Sequence, residues 1–482
     1  MKLCDLLQDV VILETTADLN MEIPAVAYDS RKVVSGGLFV AISGFAADGN
    51  RFIPMAMEKG AAAVVTAKKP EGELPYVLVE NDRLALALIG RNFYNRPAEG
   101  MTLIGVTGTN GKTSTTLILK QILERITGCK AGLIGTMENQ IGDEVIPTER
   151  TTPESFELQG LFARMRDAGC KYAIMEVSSH AIALNRVGGV HFDVAAFTNL
   201  TEDHLDFHKT MEDYCDTKAR LFARCNAAVL NQDDEWFHRM GRFAACPVVT
   251  TSAKNEAGVY ARDLHLMSDG IRFTAVSDGV CHDITMPIPG RFTVYNTLTV
   301  LGIVKALGMD MAQAAQALAY VHGVKGRIEV VPTPGKDYTV LIDYAHTPDG
   351  LENVLRSVRD FCKGRLIAVF GCGGDRDPIK RPIMGRIGVE LSDLAIITSD
   401  NPRTEDPAAI IRDIIAGADL GVGTYKIIEN RRKAIEYAMD IGQKDDIIVL
   451  AGKGHETYQE INGVKHHLDE REEVAAYLQG KR

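Results

Sequence analysis

The stretch GVTGTNGKTSTT, residues 105–116, joins the end of an apolar run to the start of a helical one. Upstream, TLIGVTG reads as a buried strand. Downstream, LILKQILERITG carries Leu119, Ile122, Leu123 and Ile126 at i, i+3, i+4 and i+7, with Gly128 placed as a C-cap. Strand, glycine loop and helix in that order form a phosphate cradle. Glycines let backbone N–H groups close on phosphate oxygens, the helix N-terminus adds partial positive charge, Lys112 a full charge and Thr113 a hydroxyl for magnesium. A strict P-loop has glycine at position 106. This chain has Val106, with Gly105 one place early, so the loop is the variant T-G-T-N-G-K-T. A plain glycine turn before a helix is the competing reading, and Gly-Lys-Thr in this setting favours nucleotide binding.

Outward from the loop, short strands alternate with helical stretches along the whole chain, which implies α/β folding on mostly parallel sheets. At 482 residues the chain is long enough for several domains. Three units are expected. Residues 1–97 form a small α/β module with strands such as LFVAI and AAAVVT. Residues 98–326 form a P-loop ATPase-like domain with a parallel sheet, ending near Gly323 and Gly326, which read as a hinge. Residues 327–482 form a Rossmann-like α/β domain with strands LIAVFG, LAIITSD and DIIVLAG.

Hydrophobic residues make up 46% of the chain, enough for substantial cores, and the net charge of −11 argues against nucleic acid or an anionic membrane as partner. The nine cysteines are scattered and contain no C-x-x-C pair, so they indicate neither a disulfide framework nor a zinc ribbon and fit a reducing cytosol. In MKLCDLLQDVVIL, Asp5, Gln8 and Asp9 interrupt what a signal peptide keeps apolar, and no apolar run reaches membrane-spanning length. The expectation is a cytoplasmic protein without membrane insertion.

Three further stretches carry chemistry. YAIMEVSSHA puts Glu176 at the end of a buried strand, where a carboxylate can ligate Mg²⁺; a solvated strand end is the equal alternative. TNLTEDHLDFH concentrates Asp203, His204, Asp206 and His208 without a cysteine, which suits a hard cation better than zinc. Lys218, in YCDTKARLF, taken alone is an ordinary helix-surface lysine. TSDNPRTEDP sets Asp400 and Arg403 either side of Pro402, after the apolar run DLAIIT; here the bland alternative is a loop in which Asp400 caps the helix PAAIIRDII.

Together TGTNGKTS, MEVSSH, TNLTEDHLDFH, GRFTVYN, GRIE, DYAHTPD, FGCGGDRD, DNPRTEDP and GKGHETYQ occur in the order seen in the Mur ligases of cell-wall synthesis. The resemblance spans nearly the whole chain and is greatest to the branch that adds the third amino acid, in its diaminopimelate-adding form. It implies an ATP-dependent ligase of peptidoglycan synthesis that joins meso-diaminopimelate to the D-glutamate side-chain carboxylate of UDP-N-acetylmuramoyl-L-alanyl-D-glutamate through an acyl phosphate. Its three domains would bind, in order, the UDP-sugar, ATP and the amino acid.

Carried over by position, Gly108, Thr109, Asn110, Gly111, Lys112, Thr113 and Ser114 resemble the ATP loop. Asn296, Arg327 and Asp343 resemble further nucleotide contacts. Thr113, Glu176, His204 and Lys218 resemble the magnesium site, with Lys218 as a carbamate formed from CO₂; Lys112, Glu176, His204 and Lys218 would be the catalytic set. Tyr28, Ser30, Phe45, Ala46, Ala47, Thr151, Thr152, Ser178 and Arg186 match contacts to the UDP-linked substrate. Arg376, Asp400, Asn401, Pro402, Arg403, Gly452 and Glu456 match contacts to diaminopimelate. Two departures stand out: Arg150 where relatives often have asparagine, and Leu184 where they often have glutamine. A monomer acting on small molecules is expected. The alternatives are the same ligase using L-lysine, a folylpolyglutamate synthetase, or a P-loop ATPase acting on a partner. A dinucleotide oxidoreductase is disfavoured because Arg376 stands where FGCGGDRD would need the last glycine of G-x-G-x-x-G.

Overall fold

The computed structural model describes residues 1–44, 48–148 and 150–480. Two compact units emerge, residues 1–259 with 299–311, and residues 260–298 with 312–482.

The first unit opens with a five-stranded sheet of β1 (Ile12–Thr15), β2 (Val26–Ala27), β3 (Leu38–Ala41), β4 (Ala63–Thr66) and β5 (Tyr76–Val79), ordered β1-β5-β4-β3-β2. Only the β1–β5 pair is antiparallel. Every residue of β3 and β4 is buried, as in a parallel sheet covered on both faces. Helix Asp82–Phe93, capped by Asn81 Oδ1 on the Leu84 N–H, lays its apolar side on this sheet.

The same unit holds β6 (Thr102–Thr107), β7 (Ala131–Ile134), β8 (Asn139–Ile141), β9 (Glu144–Ile146), β10 (Tyr172–Glu176), β11 (Phe192–Phe197), β12 (Cys225–Asn231) and β13 (Val248–Ser252). They run in the order β13-β12-β11-β6-β10-β7-β8-β9. From β13 to β7 all pairs are parallel, so their C-terminal ends share one edge. Helix Lys112–Thr127 follows β6 as expected. It buries Leu119, Ile122 and Leu123, and ends on Gly128 in the left-handed region, whose N–H reaches Glu124 O.

In the second unit, β14 (Val259–Met267), β15 (Gly270–Ser277) and β16 (Val280–Met286) are consecutive neighbours, β15 and β16 being antiparallel. A six-stranded sheet comprises β17 (Glu329–Val331), β18 (Thr339–Asp343), β19 (Leu366–Phe370), β20 (Leu394–Ile397), β21 (Tyr425–Ile427) and β22 (Ile447–Ala451), ordered β17-β18-β22-β19-β20-β21. All pairs but β17–β18 are parallel. Residues of β19 and β22 are buried throughout, and two apolar clusters pack on the two faces. The hairpin β23 (Tyr458–Ile461) and β24 (Val464–His467) follows. Gly326 is needed here for close approach: a Cβ would lie 2.3 Å from the Gly454 carbonyl carbon.

Candidate active site

Parallel strands send their C-terminal loops to one edge, and that edge collects the chemical groups. In the first unit, β6 leads to the glycine loop, β7 to Thr136, β10 to Glu176 and β11 to Thr198–His204. Gly108 sits at φ +147, and a Cβ there would fall 2.0 Å from Thr198 Oγ1. Asn199 backs the loop, its carbonyl accepting from Thr109 N at 2.8 Å and its Oδ1 from Asn110 N at 3.0 Å. Thr113 and Ser114, half-buried, begin the 16-residue helix whose N-terminus faces this loop.

Two ammonium groups converge on one carbonyl. Lys112 Nζ donates to Gly108 O and Thr109 O, both at 2.8 Å, and Lys218 Nζ donates to Gly108 O at 2.9 Å. Burial pushes Lys112 below the ordinary lysine value, against the pull of Glu176 and Asp203. Lys218, 1% exposed, is driven well below it, first by burial and then by the charge of Lys112. The helix-surface reading of Lys218 is thereby overturned: it lies in the interior, with its ammonium 4.6 Å from the Tyr214 ring centroid.

Glu176 is also buried, 1% exposed, and is not a solvated strand end. Its Oε1 accepts from Thr136 N and its Oε2 from Thr136 Oγ1, both at 2.9 Å. From there the bonded network runs into the expected substrate contacts. Thr136 Oγ1 lies 3.0 Å from Thr151 Oγ1, Thr152 Oγ1 donates to Glu176 O, and Ser178 N donates to Thr152 Oγ1. Ser178 caps helix Ser179–Ala183 through Ala181 N, and Arg186 Nη1 donates to Thr152 O. Arg150, one of the departures, pairs with Glu154 at 3.1 Å; Arg186 Nε reaches the same oxygen at 2.7 Å. Leu184 is the half-buried C-cap of that helix.

His204 is half exposed, in the left-handed region at φ 54, and its Nε2 lies 3.4 Å from Asp203 Oδ2. His208 is buried, with Nε2 2.8 Å from Ser179 Oγ. Among the described residues no three His, Cys, Asp or Glu side chains are grouped to hold a metal ion. Glu176 and His204 offer a carboxylate and an imidazole, donors that suit a hard cation, and Lys218 as an unmodified amine adds no negative charge to them. As an ammonium beside Lys112 it would repel such a cation.

In the five-stranded module, Tyr28 OH donates to Glu157 Oε1 at 2.7 Å, and Ser30 is buried with Oγ 3.3 Å from Met55 Sδ. Phe45, Ala46 and Ala47 lie outside the described residues, as does the Asp206 side chain.

In the second unit the same logic holds. The end of β18 and the loops after β19, β20 and β22 carry Asp343, Arg376, Asp400–Arg403 and Gly452–Glu456 to one edge of the sheet. Asp343 accepts from Ile328 N and Ala345 N, both at 2.8 Å, and burial raises its carboxyl despite those bonds. Arg327 is exposed, 5.4 Å from the Tyr344 ring centroid, and Asn296 is buried.

Asp400 is not a helix cap. It is 5% exposed, with Oδ1 3.2 Å from Lys453 Nζ; the cap of helix Pro407–Ala418 is Asp406, through Ala408 N. Burial pushes the Asp400 carboxyl up, but Lys453 and Arg431 outweigh it and hold it below the ordinary value. A Cβ on Gly452, at φ +119, would lie 2.5 Å from Asp400 Oδ2, so glycine is what lets the carboxylate close on this loop. Asn401 Nδ2 donates to Glu456 Oε2 at 2.9 Å.

Arg403 occupies the left-handed region at φ 51, a strained setting for arginine. Its backbone pairs with the β23–β24 hairpin, through Glu460 O and Asn462 N. Its Nη1 donates to Gly374 O at 2.7 Å, and the side chain remains 23% exposed. Thr404 Oγ1 donates to Asp375 Oδ1, tying the loop after β20 to the loop that holds exposed Arg376.

One strand edge of the first unit carries the glycine loop and Glu176, and one edge of the second carries Asp343, Arg376, Asp400–Arg403 and Gly452–Glu456, whereas Asn296 stands in the helix Arg291–Ala306 and Tyr28 and Ser30 in the five-stranded module. Sequence reading missed Thr136, Lys453 and Arg431. Thr136 has no local signature, because its role depends on β7 lying beside β10. Lys453 stood in view inside GKGHE, between the two residues singled out.

Family models match in three blocks: the Mur ligase family, catalytic domain over residues 22–94, the Mur ligase middle domain over 106–304, and the Mur ligase, glutamate ligase domain over 326–454. The chain is 47% identical over 482 residues to the UDP-N-acetylmuramoyl-L-alanyl-D-glutamate–2,6-diaminopimelate ligase 1 of Clostridium acetobutylicum, covering 99% of each. The like-named ligase of Caldanaerobacter subterraneus subsp. tengcongensis is also 47% identical, again with 99% of each covered. A solved structure of a UDP-N-acetylmuramoyl-L-alanyl-D-glutamate–2,6-diaminopimelate ligase superposes with a TM-score of 0.80 at 31% identity, covering 100% of this chain and 99% of the other. With a phosphate loop, matching domains and relatives along its full length, the chain belongs to the Mur ligase family of ATP-dependent ligases.

Proposed function

We propose that the chain joins meso-diaminopimelate to the D-glutamate side-chain carboxylate of UDP-N-acetylmuramoyl-L-alanyl-D-glutamate, with ATP consumed to ADP and phosphate. The observation that carries this reading is the loop cluster of the second unit. Asp400 and Glu456 offer carboxylates and Arg403 a guanidinium on one strand edge. Such a set complements an amino acid whose far end bears both an ammonium and a carboxylate. Residues 1–97, 98–326 and 327–482 would serve the UDP-sugar, ATP and the amino acid, in a monomeric cytoplasmic enzyme.

A carboxylate is a poor electrophile until phosphorylated. The γ-phosphoryl group of ATP passes to the glutamate carboxylate, giving ADP and an acyl phosphate. An amine of diaminopimelate attacks the acyl carbon and loses a proton, and phosphate leaves from the tetrahedral intermediate. Lys112 exchanges its bonds to the Gly108 and Thr109 carbonyls for phosphate oxygens, and the helix N-terminus adds its partial charge. Thr151, Thr152, Ser178 and Arg186, bonded together beside Glu176, orient the muramoyl dipeptide.

Thr113, Glu176, His204 and a carbamate on Lys218 would hold Mg²⁺, which when bound supplies charge against the transferring phosphoryl group. The carbamate follows from crowding. The Lys112 and Lys218 side chains share the Gly108 carbonyl; burial and the Lys112 charge favour loss of one proton from the Lys218 ammonium, and addition of CO₂ to the resulting amine with loss of a second proton turns a cation into an anion. Undiminished activity of Lys218→Ala would remove this role.

The test is phosphate release by the purified chain with ATP, Mg²⁺ and the UDP-linked dipeptide, supplying meso-diaminopimelate, L-lysine or no amine. Release with diaminopimelate alone is expected. Equal use of lysine would refute the assigned specificity, and release regardless of acceptor would refute the ligation itself.

A further inference from the structure

Lys453 is fully buried, at 0% exposure, in a loop whose neighbours were assigned to the acceptor. Its Nζ donates to Asn401 Oδ1 at 2.8 Å and lies 3.2 Å from Asp400 Oδ1 and 3.3 Å from Glu456 Oε2. One ammonium therefore holds three proposed acceptor contacts at once. Asn401 is fixed from both ends, because its Oδ1 also accepts from Glu460 N at 2.9 Å while its amide donates to Glu456. Behind this cluster lies a second buried cation. Arg431 pairs with Glu470 at 2.8 Å, both side chains at most 1% exposed, and donates to Ala451 O at 2.8 Å, directly before Gly452.

The charges in this cluster do not cancel. Asp400, Glu456 and Glu470 supply three negative charges, and Lys453 and Arg431 two positive ones. One negative charge is left over at the edge where the acceptor is expected, a deficit that a single ligand ammonium fills.

We propose that Lys453 is the positioning residue of the acceptor pocket, locking Asp400, Asn401 and Glu456 into the array that receives the far-end ammonium of the amino acid. The inference rests on the diaminopimelate reading and deepens it. Lys453 offers no bond to substrate. It acts by holding the Asp400 and Glu456 carboxylates close together, with the balance of one charge unfilled.

The groups facing Asp400 come from every loop around it: Lys453 and Glu456 after β22, Arg431 and Glu470 from their helices, His346 and Tyr344 after β18, and Cys372 after β19. Lys453 is the largest influence keeping Asp400 ionised against burial. Without it, Asp400 stays buried and takes up its proton at higher pH.

The experiment measures KM and kcat for each substrate in wild type and Lys453→Met across pH. The expected result is a rise of about tenfold or more in KM for diaminopimelate, with KM for ATP and for the UDP-linked dipeptide unchanged. The acidic limb of kcat/KM for diaminopimelate moves to higher pH. An unchanged KM for diaminopimelate, an equal rise for all three substrates, or an unmoved acidic limb would each overturn the proposal. Should Lys453→Met not fold, Asn401→Ala removes the nearest partner and keeps the ammonium; the same selective KM rise is expected, and its absence overturns the proposal. A wild-type enzyme indifferent to diaminopimelate would instead bring down the reading beneath it.

Discussion

Gly108 shows how much one residue can decide. At φ +147 it adopts backbone that L side chains rarely do, and a Cβ would meet Thr198 Oγ1 at 2.0 Å and Asn199 O at 3.0 Å. Thr198 cannot simply turn away, since its hydroxyl donates to Asn110 O at 2.7 Å. Gly108→Ala is expected to lower kcat/KM for ATP about 100-fold or more, a loss of ~3 kcal/mol, because loop N–H groups no longer point at phosphate. Nucleotide titration and steady-state kinetics read the effect directly. Arg403 decides a different matter. Its fork suits a carboxylate, and L-lysine lacks the far-end carboxylate that diaminopimelate presents. Removing the partner of a fully desolvated guanidinium costs about 2–5 kcal/mol, and at the 23% exposure of Arg403 the cost is smaller. Arg403→Ala should therefore raise KM for diaminopimelate and narrow its lead over lysine. If both amines keep their wild-type ratio, specificity lies elsewhere in the loops.

Elements rather than residues bring these groups together. Parallel pairing aligns the ends of β6, β7, β10 and β11 in one unit and of β18, β19, β20 and β22 in the other. Two aspartates in the loop between β20 and the next helix have different parts. Asp406 caps Pro407–Ala418 through Ala408 N, whereas Asp400 lies buried against Lys453. Asp406→Ala is thus expected to cost ~1 kcal/mol of stability with little change in acceptor KM. Asp400→Ala should raise that KM sharply. Measuring denaturant midpoints alongside kinetics distinguishes the two. The strand before the phosphate loop, the helix after it and the Gly128 cap were legible in sequence because period and punctuation are local signals. The burial of Lys218 was not, because a lysine in a helix gives no sign of what packs over it. Thr136 was hidden for a related reason: it meets Glu176 only through the β7–β10 register, a pairing 40 residues apart in sequence. Arg431 bonds Glu470 across 39 residues, with no motif at either end.

Across the whole chain, carboxyls are shifted in both directions, and the sign of each shift sets its part in acid stability. In the first unit, hydrogen bonds from Arg31 hold Asp29 at about 2, and Lys68 with Asn50 holds Asp48 at about 2. In the second, Lys453 and Arg431 outweigh burial at Asp400 and keep it low, while burial raises Asp343. A carboxyl lowered by folding contributes stability that is complete above its unfolded value, 3.8 for aspartate, and lost as pH falls through its folded value. A raised one does the reverse, favouring the folded state in acid and costing stability as pH climbs past 3.8. Asp29 and Asp48 are near the surface and screened, so acid should weaken the first unit only modestly between about 3.8 and 2. The second unit depends more on Asp400, because its protonation breaks a buried ion pair with Lys453. Asp400→Asn is therefore expected to be less stable than wild type at neutral pH, and its denaturant midpoint should fall less steeply below about pH 4. The two curves should converge in acid, where wild-type Asp400 is itself neutral. Parallel curves with a constant offset would show that the shape of the aspartate, not its charge, is what the second unit relies on.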